Sequence, residues 1–182
     1  AQNIITKQGR VRCVRGQIAN AHEAFELECD RVVVATGAWT GAELCVDQNP
    51  LLPGVLRPVR GVSLQLRAPQ GVPRLKHVLR TPDVYVVPRP HGVVVGGFSD
   101  EQGFCEDVDV EAVHDILRYA LRVMPSLRHY AFCEATAGLR PATPDHMPRF
   151  EFGPTDDIVI GAGHYRDGIL LDRKSTRLNS SH

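Results

Sequence analysis

Two glycine-rich segments of this 182-residue chain have the composition of ligand-binding turns. Thr36-Gly37-Ala38-Trp39 follows the apolar run Val32–Ala35, and Gly161–Gly168 follows Ile158-Val159-Ile160. Small residues at the carboxyl end of a buried strand let a ligand approach the backbone closely. A helix that begins after such a turn presents unpaired N–H groups and a positive dipole end, so the second segment favours an anionic ligand atom.

Neither segment is a dinucleotide fingerprint. In the run that starts at Gly161, the sixth position of G-x-G-x-x-G is occupied by Arg166. Arg140 is a candidate ligand-binding residue outside these two segments. It stands in the run A-G-L-R-P, and a guanidinium can donate two parallel hydrogen bonds to a carboxylate. The residues alone leave alternatives open: Arg140 as a helix cap, Arg166 as a turn cation and Tyr85 as a core aromatic.

Cysteine and histidine spacing indicates no metal site. The five cysteines and eight histidines are scattered, with no C-x-x-C pair and no zinc-ligand spacing. We therefore expect free thiols in a reducing compartment, and a cytoplasmic protein.

Composition excludes several classes of protein. Lysine and arginine number 21 and the acids also number 21, so the formal net charge is zero and broad nucleic-acid binding is not expected. No apolar stretch reaches the ~18–20 residues of a membrane span, and the first residues are not a secretion signal. The 43% hydrophobic content is that of a folded globular protein.

Hydrophobic patterns predict the elements that position these segments. Val32–Ala35 is apolar at every position, which predicts a strand buried on both faces in a parallel sheet. Ile158-Val159-Ile160 predicts another buried strand, and the run A-G-L-R-P predicts a turn-rich loop. An antiparallel sheet is predicted from closely spaced strands at Val59–Leu66, Val84–Val87 and Val93–Val95.

One long helix is predicted after this sheet. Its apolar residues recur at helical spacing from Val110 to Met124. Asp107 or Asp109 can cap its start, and Pro125 ends it.

Three segments together resemble the FAD-dependent amino-acid oxidase superfamily and, within it, the glycine oxidases of thiamine biosynthesis. They are RVVVATGAWT (Arg31–Thr40), AGLRPATPD (Ala137–Asp145) and GHYRDGILL (Gly163–Leu171), and YVVPR (Tyr85–Arg89) is a fourth match. The resemblance covers residues 1 to about 171. The family's first βαβ unit, with its pyrophosphate loop, is missing, so we expect the chain to be a carboxyl-terminal part of a longer protein.

The resemblance implies an α/β plus α+β fold, in which a partial Rossmann-like FAD-binding domain is interleaved with an antiparallel-sheet substrate domain. Residues 1–48 and 135–171 would belong to the FAD-binding domain. Residues 49–134 would form the substrate domain with its one long helix. Residues 172–182 would be a tail that is disordered or foreign to the fold.

The resemblance also implies FAD as cofactor and glycine, or a similar small amino acid or amine, as substrate. Hydride transfer from the substrate carbon to the flavin leaves an imine, which water hydrolyses to a keto acid and ammonia, and O2 would be reduced to H2O2. Because the flavin carries the redox step, the protein mainly binds and orients the substrate. No catalytic acid or base is expected.

Site residues follow from the resemblance position by position. Arg140 would bind the substrate carboxylate together with the Tyr85 hydroxyl, and Arg166 would lie near substrate and flavin. Backbone N–H groups from His164 to Leu170 would stabilise the negative charge of reduced flavin. The implied cofactor-binding residues are Ala35, Thr36, Gly37, Trp39, His164, Tyr165, Arg166, Asp167, Gly168, Ile169 and Leu170.

Other functions remain compatible with the sequence. One is a D-amino-acid dehydrogenase that passes electrons to quinone. Another is a truncated, non-catalytic fragment that does not retain FAD. A third is the flavin-dependent oxidase domain of a tRNA-modifying enzyme, although zero net charge gives little support to a function on tRNA. A homo-oligomer is compatible with each of them.

Overall fold

The computed structural model describes residues 3–18, 23–166 and 168. The chain folds into mixed sheets with few helices and divides into two compact units. Unit 1 consists of Ala1–Pro58 and Arg140–His182, and unit 2 consists of Val59–Leu139.

The first sheet belongs to unit 1 and starts with a hairpin. Gln8 and Gly9 both have positive φ, at 54° and 74°, which is the backbone of a tight two-residue hairpin turn. In spatial order its strands are β3 (Ala24–Glu28), β2 (Arg10–Gln17), β1 (Asn3–Lys7), β5 (Cys45–Val46) and β6 (Asn49–Pro50).

The second sheet of unit 1 carries the two predicted ligand-binding turns. Its order is β12 (Arg149–Phe152), β13 (Ile158–Ala162) and β4 (Val32–Val34), and β13 runs parallel to β4. The prediction that Val32–Ala35 is buried on both faces is wrong, because the Val33 side chain is 73% exposed. Only the face that carries Val34 is covered by the core of unit 1.

That core joins both sheets of unit 1. Val34, Ile158 and Ile160 pack with residues of the first sheet and of the segment that follows it. Two short helices connect β4 to β5: a 3-10 turn at Gly37–Trp39 and α1 at Thr40–Glu43. The remaining buried members of this core are Ile4, Val11, Leu44, Val46, Leu51 and Ala162.

The third sheet contains the predicted antiparallel strands. β10 (Gly92–Asp100) pairs antiparallel with both β7 (Arg57–Arg67) and β9 (Tyr85–Arg89), which confirms that prediction. Its spatial order is β11 (Ala131–Ala142), β7 (Arg57–Arg67), β10 (Gly92–Asp100), β9 (Tyr85–Arg89) and β8 (Leu79–Arg80).

β11 corrects the prediction of a turn-rich loop at residues 137–141. Ala131–Ala142 is a continuous twelve-residue strand. β11 lies at the edge of the sheet with β7 as its neighbour, and an edge strand tolerates a proline such as Pro141 because its missing N–H need not serve a ladder. Pairing with β7 thus overrides the local turn signal of glycine and proline.

The predicted helix is confirmed as α2, Val110–Val123. Asp109 is its N-cap, since its carboxylate accepts a hydrogen bond from the Ala112 N–H at 2.8 Å. A 3-10 helix, Pro125–His129, follows directly. The buried face of α2 packs against β10 and forms the core of unit 2 with β9, β10 and the even-numbered residues of β7.

Arg60 is a buried cation on this covered face. Arg60 is fully buried, and its guanidinium donates to the Asp100 carboxylate at 2.8 and 2.6 Å and to the Asp109 carboxylate at 2.5 Å. It also donates to the Asp107 carbonyl. Arg60 thereby links β7, the end of β10 and the start of α2, and these bonds raise its pKa above the ordinary value.

No helix among residues 3–18, 23–166 and 168 is both long and apolar enough to cross a membrane. The five cysteines are free thiols.

Candidate functional site

The two predicted ligand-binding turns follow strands β4 and β13 and lie at the same edge of the second sheet of unit 1. In the parallel pair, Ile158 is opposite Val32 and Ile160 is opposite Val34. The carboxyl ends of parallel strands lie at one edge of a sheet, where ligands bind in open α/β folds. The structure therefore brings together the segments after Val34 and after Ala162; we call this place the strand-end edge.

The turn after β4 is tied together by two threonines. The Thr36 and Thr40 hydroxyls are 2.9 Å apart, and Thr40 donates to the Gly37 carbonyl at 2.9 Å. Thr40 is fully buried, whereas Thr36 and Ala35 are exposed. The bonds hold the 3-10 turn while the residues before it stay accessible to a ligand.

The turn after β13 requires glycine at its first residue. Gly163 has a φ of +77°, and a Cβ there would lie 2.7 Å from the methyl group of Thr143. Thr143 is fully buried and donates to the Met147 carbonyl at 2.9 Å. The chain after β13 thus packs tightly on Thr143, and a side chain at Gly163 would push it away.

Tyr165 connects this turn to the segment of Arg140. The Tyr165 N–H donates to the Pro141 carbonyl at 3.0 Å, and Tyr165 has a φ of 48°. Arg140, half-buried near the end of β11, precedes that proline. The main chain at Arg140 is therefore held against the turn after β13.

Ring contacts fix the side chains of the same turn. The His164 ring lies edge-on to Phe150, with centroids 5.0 Å apart. Tyr165 lies 4.8 Å from the His146 ring, and the exposed Arg166 guanidinium is 5.1 Å from the Tyr165 ring centroid. His164 and Tyr165 are packed by neighbours, whereas Arg166 is at the surface of the turn.

The segment after β11 is held by hydrogen bonds to its backbone. Arg57 donates to the Thr143 carbonyl at 2.9 Å. The Met147 N–H donates to the Asp145 carboxylate at 3.1 Å and thereby lowers the pKa of Asp145 below its ordinary value. This network fixes the loop that follows Arg140 and Pro141.

Most predicted site residues thus lie in unit 1, near its strand-end edge. Asp167, Ile169 and Leu170 lie outside the described residues, as does the predicted tail at 172–182. The residues that the structure brings to this part of unit 1 are Ala35, Thr36, Gly37, Trp39, Arg140, His164, Tyr165, Arg166 and Gly168.

Tyr85 belongs to unit 2 and lies on the face of the third sheet opposite α2. It pairs with Gly96 across β9 and β10, and Gly96 pairs with Ser63 across β10 and β7. A Cβ on Gly96 would overlap the Tyr85 phenol, so the ring lies over a position that only glycine leaves open. The Tyr85 hydroxyl has no hydrogen-bond partner within the described part of the chain.

Two further hydroxyl residues, Ser63 and Thr136, lie near Tyr85 on this sheet and were not predicted from the sequence. The Ser63 and Thr136 hydroxyls are 3.0 Å apart, which places both on the open face beside Gly96. We call Tyr85, Gly96, Ser63 and Thr136 the hydroxyl row. The Gly96-Gly97 pair inside a strand is the sequence signal that could have located it, because glycine inside a strand often marks a β-bulge or a place where another group approaches the backbone closely.

A comparison with protein families identifies the chain. The family described as FAD dependent oxidoreductase matches residues 1–171. The chain belongs to this FAD-dependent oxidoreductase family. The resemblance that the sequence motifs indicated is thereby confirmed.

Relatives of this chain include a bifunctional protein ThiO/ThiG and a glycine oxidase. The bifunctional protein ThiO/ThiG of Nostoc sp. is 36% identical over 148 residues, which are 80% of this chain and 22% of that protein. The glycine oxidase of Bacillus licheniformis is 31% identical over 149 residues, which are 79% of this chain and 38% of that enzyme. The chain thus spans between about a fifth and two fifths of these relatives.

Solved structures show the same fold. The crystal structure of glycine oxidase from Geobacillus kaustophilus matches 85% of this chain with a TM-score of 0.71 and 28% identity. The matched part is 41% of that chain.

The strand-end edge fits the FAD of this family. Ala35 and Thr36 are exposed, and no described residue other than the neighbours of Gly37 in the chain has an atom within 4 Å of the position where a Cβ would be on Gly37. The main chain there is open to a flat group, and the half-buried Trp39 follows it. One N–H of the second turn is already engaged, since Tyr165 donates to Pro141.

Proposed function

We propose that the full-length protein carrying this chain oxidises the C–N bond of glycine or a similar small amino acid or amine. The observation that carries the proposal is the placement of Arg140 and Pro141 against the turn after β13, through the Tyr165–Pro141 hydrogen bond. The glycine oxidases among its relatives support it. FAD, when bound, supplies the hydride acceptor.

The residues of the chain would bind and orient the substrate. Arg140 would pair with the substrate carboxylate through the two parallel N–H groups of its guanidinium. The Tyr85 hydroxyl, without a partner in the described chain, would donate to the same carboxylate. Arg166 would add positive charge near substrate and cofactor. A fixed orientation of the substrate C–H bond is the main contribution that these residues make.

The strand-end edge would hold the cofactor. Ala35, Thr36, Gly37 and Trp39 would lie along it, and backbone N–H groups of His164, Arg166 and Gly168 would face its negative charge. The His164 ring packs against Phe150, which favours a positioning role over proton transfer. Asp167, Ile169 and Leu170 complete the proposed set by sequence.

The domain assignment belongs to the same proposal. Residues 1–48 and 135–171 would form part of a Rossmann-like FAD-binding domain, and residues 49–134 the substrate domain. Parallel pairing of β4 and β13 supports the first assignment, since ligands bind at the carboxyl ends of such strands. The antiparallel third sheet with its open face supports the second.

Peroxide formation tests the proposed reaction. The full-length protein, purified with its flavin, is supplied with glycine or sarcosine in air. We expect H2O2 and glyoxylate in equal amounts, together with ammonia from glycine or methylamine from sarcosine. A flavin that these amines do not reduce under anaerobic conditions would contradict the substrate assignment.

The electron acceptor needs a separate measurement. Reoxidation of the reduced protein is followed with O2 and with a quinone analogue. Fast reoxidation by O2 supports an oxidase. Reoxidation by the quinone analogue alone would contradict it and identify a dehydrogenase instead.

A further inference from the structure

A basic cleft lies at the hairpin end of the third sheet, far along β9 and β10 from the hydroxyl row. It consists of two adjoining cavities of about 440 Å³ and 300 Å³. Arg67, Pro90, His91 and Gly92 line both. Every lining residue belongs to unit 2.

Among the described residues, those that line the cleft include three arginines and no acid. Arg67 and Arg89 line the larger cavity, Arg67 and Arg74 line the smaller, and neither contains an aspartate or glutamate. Among the described residues, these three arginines form no ion pair. The chain has zero net charge, yet residues 65–92 contain five lysines and arginines and one acid, so positive charge is concentrated here.

Strand register fixes the geometry of the two central arginines. Gly92 is the cross-strand partner of both Arg67 on β7 and Arg89 on β9. Cross-strand partners share one face, and two strand spacings separate the two arginine Cα atoms by about 10 Å. Because Gly92 has no side chain, the surface between the Arg67 and Arg89 side chains consists of its backbone alone. Their long side chains can converge on a single anion placed over Gly92.

The chemistry of that anion follows from the donors. Two guanidinium forks on opposite sides can donate to different oxygens of one tetrahedral group, whereas a planar monocarboxylate has only two oxygens to share between them. Gln65 adds a polar side chain to the lining of the larger cavity. Phosphate is thus the group that matches this arrangement in charge and shape.

We propose that this basic cleft binds the phosphate group of a small ligand. It is distinct from the amino-acid site of the proposed function. Arg89 and Tyr85 are four residues apart on β9, which corresponds to about 13 Å. The proposal therefore stands on its own observations and holds whichever substrate the enzyme oxidises.

Calorimetric titration of the full-length protein tests the proposal. Inorganic phosphate and pyrophosphate are titrated at constant low ionic strength, because salt screens exposed charges. We expect saturable binding of both. Arg67→Gln and Arg89→Gln should each weaken it at least tenfold, and Arg67→Lys should retain part of it as a point charge.

The matched control is Arg122→Gln, which removes one exposed charge from α2 in the same unit. It should leave phosphate binding unchanged. Binding that does not saturate, that Arg67→Gln and Arg89→Gln leave intact, or that Arg122→Gln weakens equally would overturn the proposal. Equal affinity for succinate would also overturn it, since that ligand is a dianion without a phosphate group.

Discussion

Arg60 and Arg67 stand on the same strand, β7, but on opposite faces of the sheet. Arg60 is fully buried and donates to two carboxylates, whereas Arg67 is exposed and lines a cleft without acids. Leu64 and Leu66, on the face of Arg60, are buried in the core with α2, while Ser63 and Gln65 share the open face with Arg67.

The face of the strand on which an arginine lies decides what that arginine does. On the covered face a cation needs full compensation from the chain itself, and Asp100 and Asp109 provide it. On the open face a cation stays hydrated and can bind a ligand. The covered face should therefore govern stability, and the open face should govern binding.

Arg60→Met should have the largest effect on stability. It removes the common partner of Asp100 and Asp109 and disconnects the start of α2 from β7 and β10. Loss of one member of a buried ion network costs about 3–5 kcal/mol, and the partial exposure of both aspartates puts the expected loss near the lower end.

Urea unfolding of the full-length protein measures this loss. The control is Arg118→Met on α2, whose ion pair with Asp115 is 3.2 Å long and whose side chain is 42% exposed. The control should cost less than about 1 kcal/mol. Equal losses in the two variants would remove the distinction between the two faces.

Gly96→Ala should impair the open face without unfolding the covered one. The new methyl group would occupy the space of the Tyr85 phenol and displace it from the hydroxyl row. The kcat/KM for glycine should fall roughly tenfold, about 1.4 kcal/mol, which is the size of one charge-assisted hydrogen bond. Steady-state kinetics measure it, and Gly138→Ala is the control because, apart from its chain neighbours, no residue in the described part of the chain comes within 4 Å of its Cβ position. An unchanged kcat/KM would show that Tyr85 does not contact the substrate.

Asp109→Asn should cost less than Arg60→Met and should do so in a pH-dependent manner. Asparagine can still cap α2, so the variant mainly removes the charge beside Arg60. The Arg60 hydrogen bond lowers the pKa of Asp109 below its ordinary value. A lowered folded pKa contributes stability above the unfolded value, about 3.9, and that stability is lost as pH falls through the folded pKa.

Unfolding of wild type and Asp109→Asn at several pH values checks this. The difference between them should be full at pH 7 and should shrink below about pH 4. A difference that persists unchanged in acid would mean that the charge of Asp109 does not stabilise the fold.

Arg67→Gln should have the smallest effect on unfolding, below about 0.5 kcal/mol, as for surface substitutions in general. Urea unfolding beside Arg60→Met provides the direct comparison. A loss as large as that of Arg60→Met would contradict the assignment of Arg67 to a ligand-binding face.

The elements with strong local signals could be predicted from the sequence. The position of α2 could be predicted from the periodicity of its apolar residues, from Asp109 as its N-cap and from Pro125 just beyond its end. Strands β4 and β13 follow from two apolar runs that each precede small residues, although their parallel pairing with each other was not predicted. The motif around Arg140 and the turn after Ala162 identified the family.

Features that depend on long-range partners could not be predicted. Val33 is apolar, yet burial depends on what covers its face, and within the described part of the chain Val33 is 73% exposed. The strand at residues 137–141 depends on β7, which is some seventy residues away in sequence. The hydroxyl row and the basic cleft arise only when Gly92 and Gly96 pair with both neighbouring strands.

The most direct test of the proposed function is the kinetics of Arg140→Gln in the full-length enzyme. Glycine-dependent peroxide formation is compared between wild type, Arg140→Gln and the exposed-arginine control Arg12→Gln, all with their flavin content measured. A charge-assisted pair contributes about 1.5–3 kcal/mol, so kcat/KM should fall roughly 10- to 150-fold in Arg140→Gln and stay unchanged in the control. A kcat/KM in Arg140→Gln equal to that of wild type, at equal flavin content, would contradict carboxylate binding by Arg140.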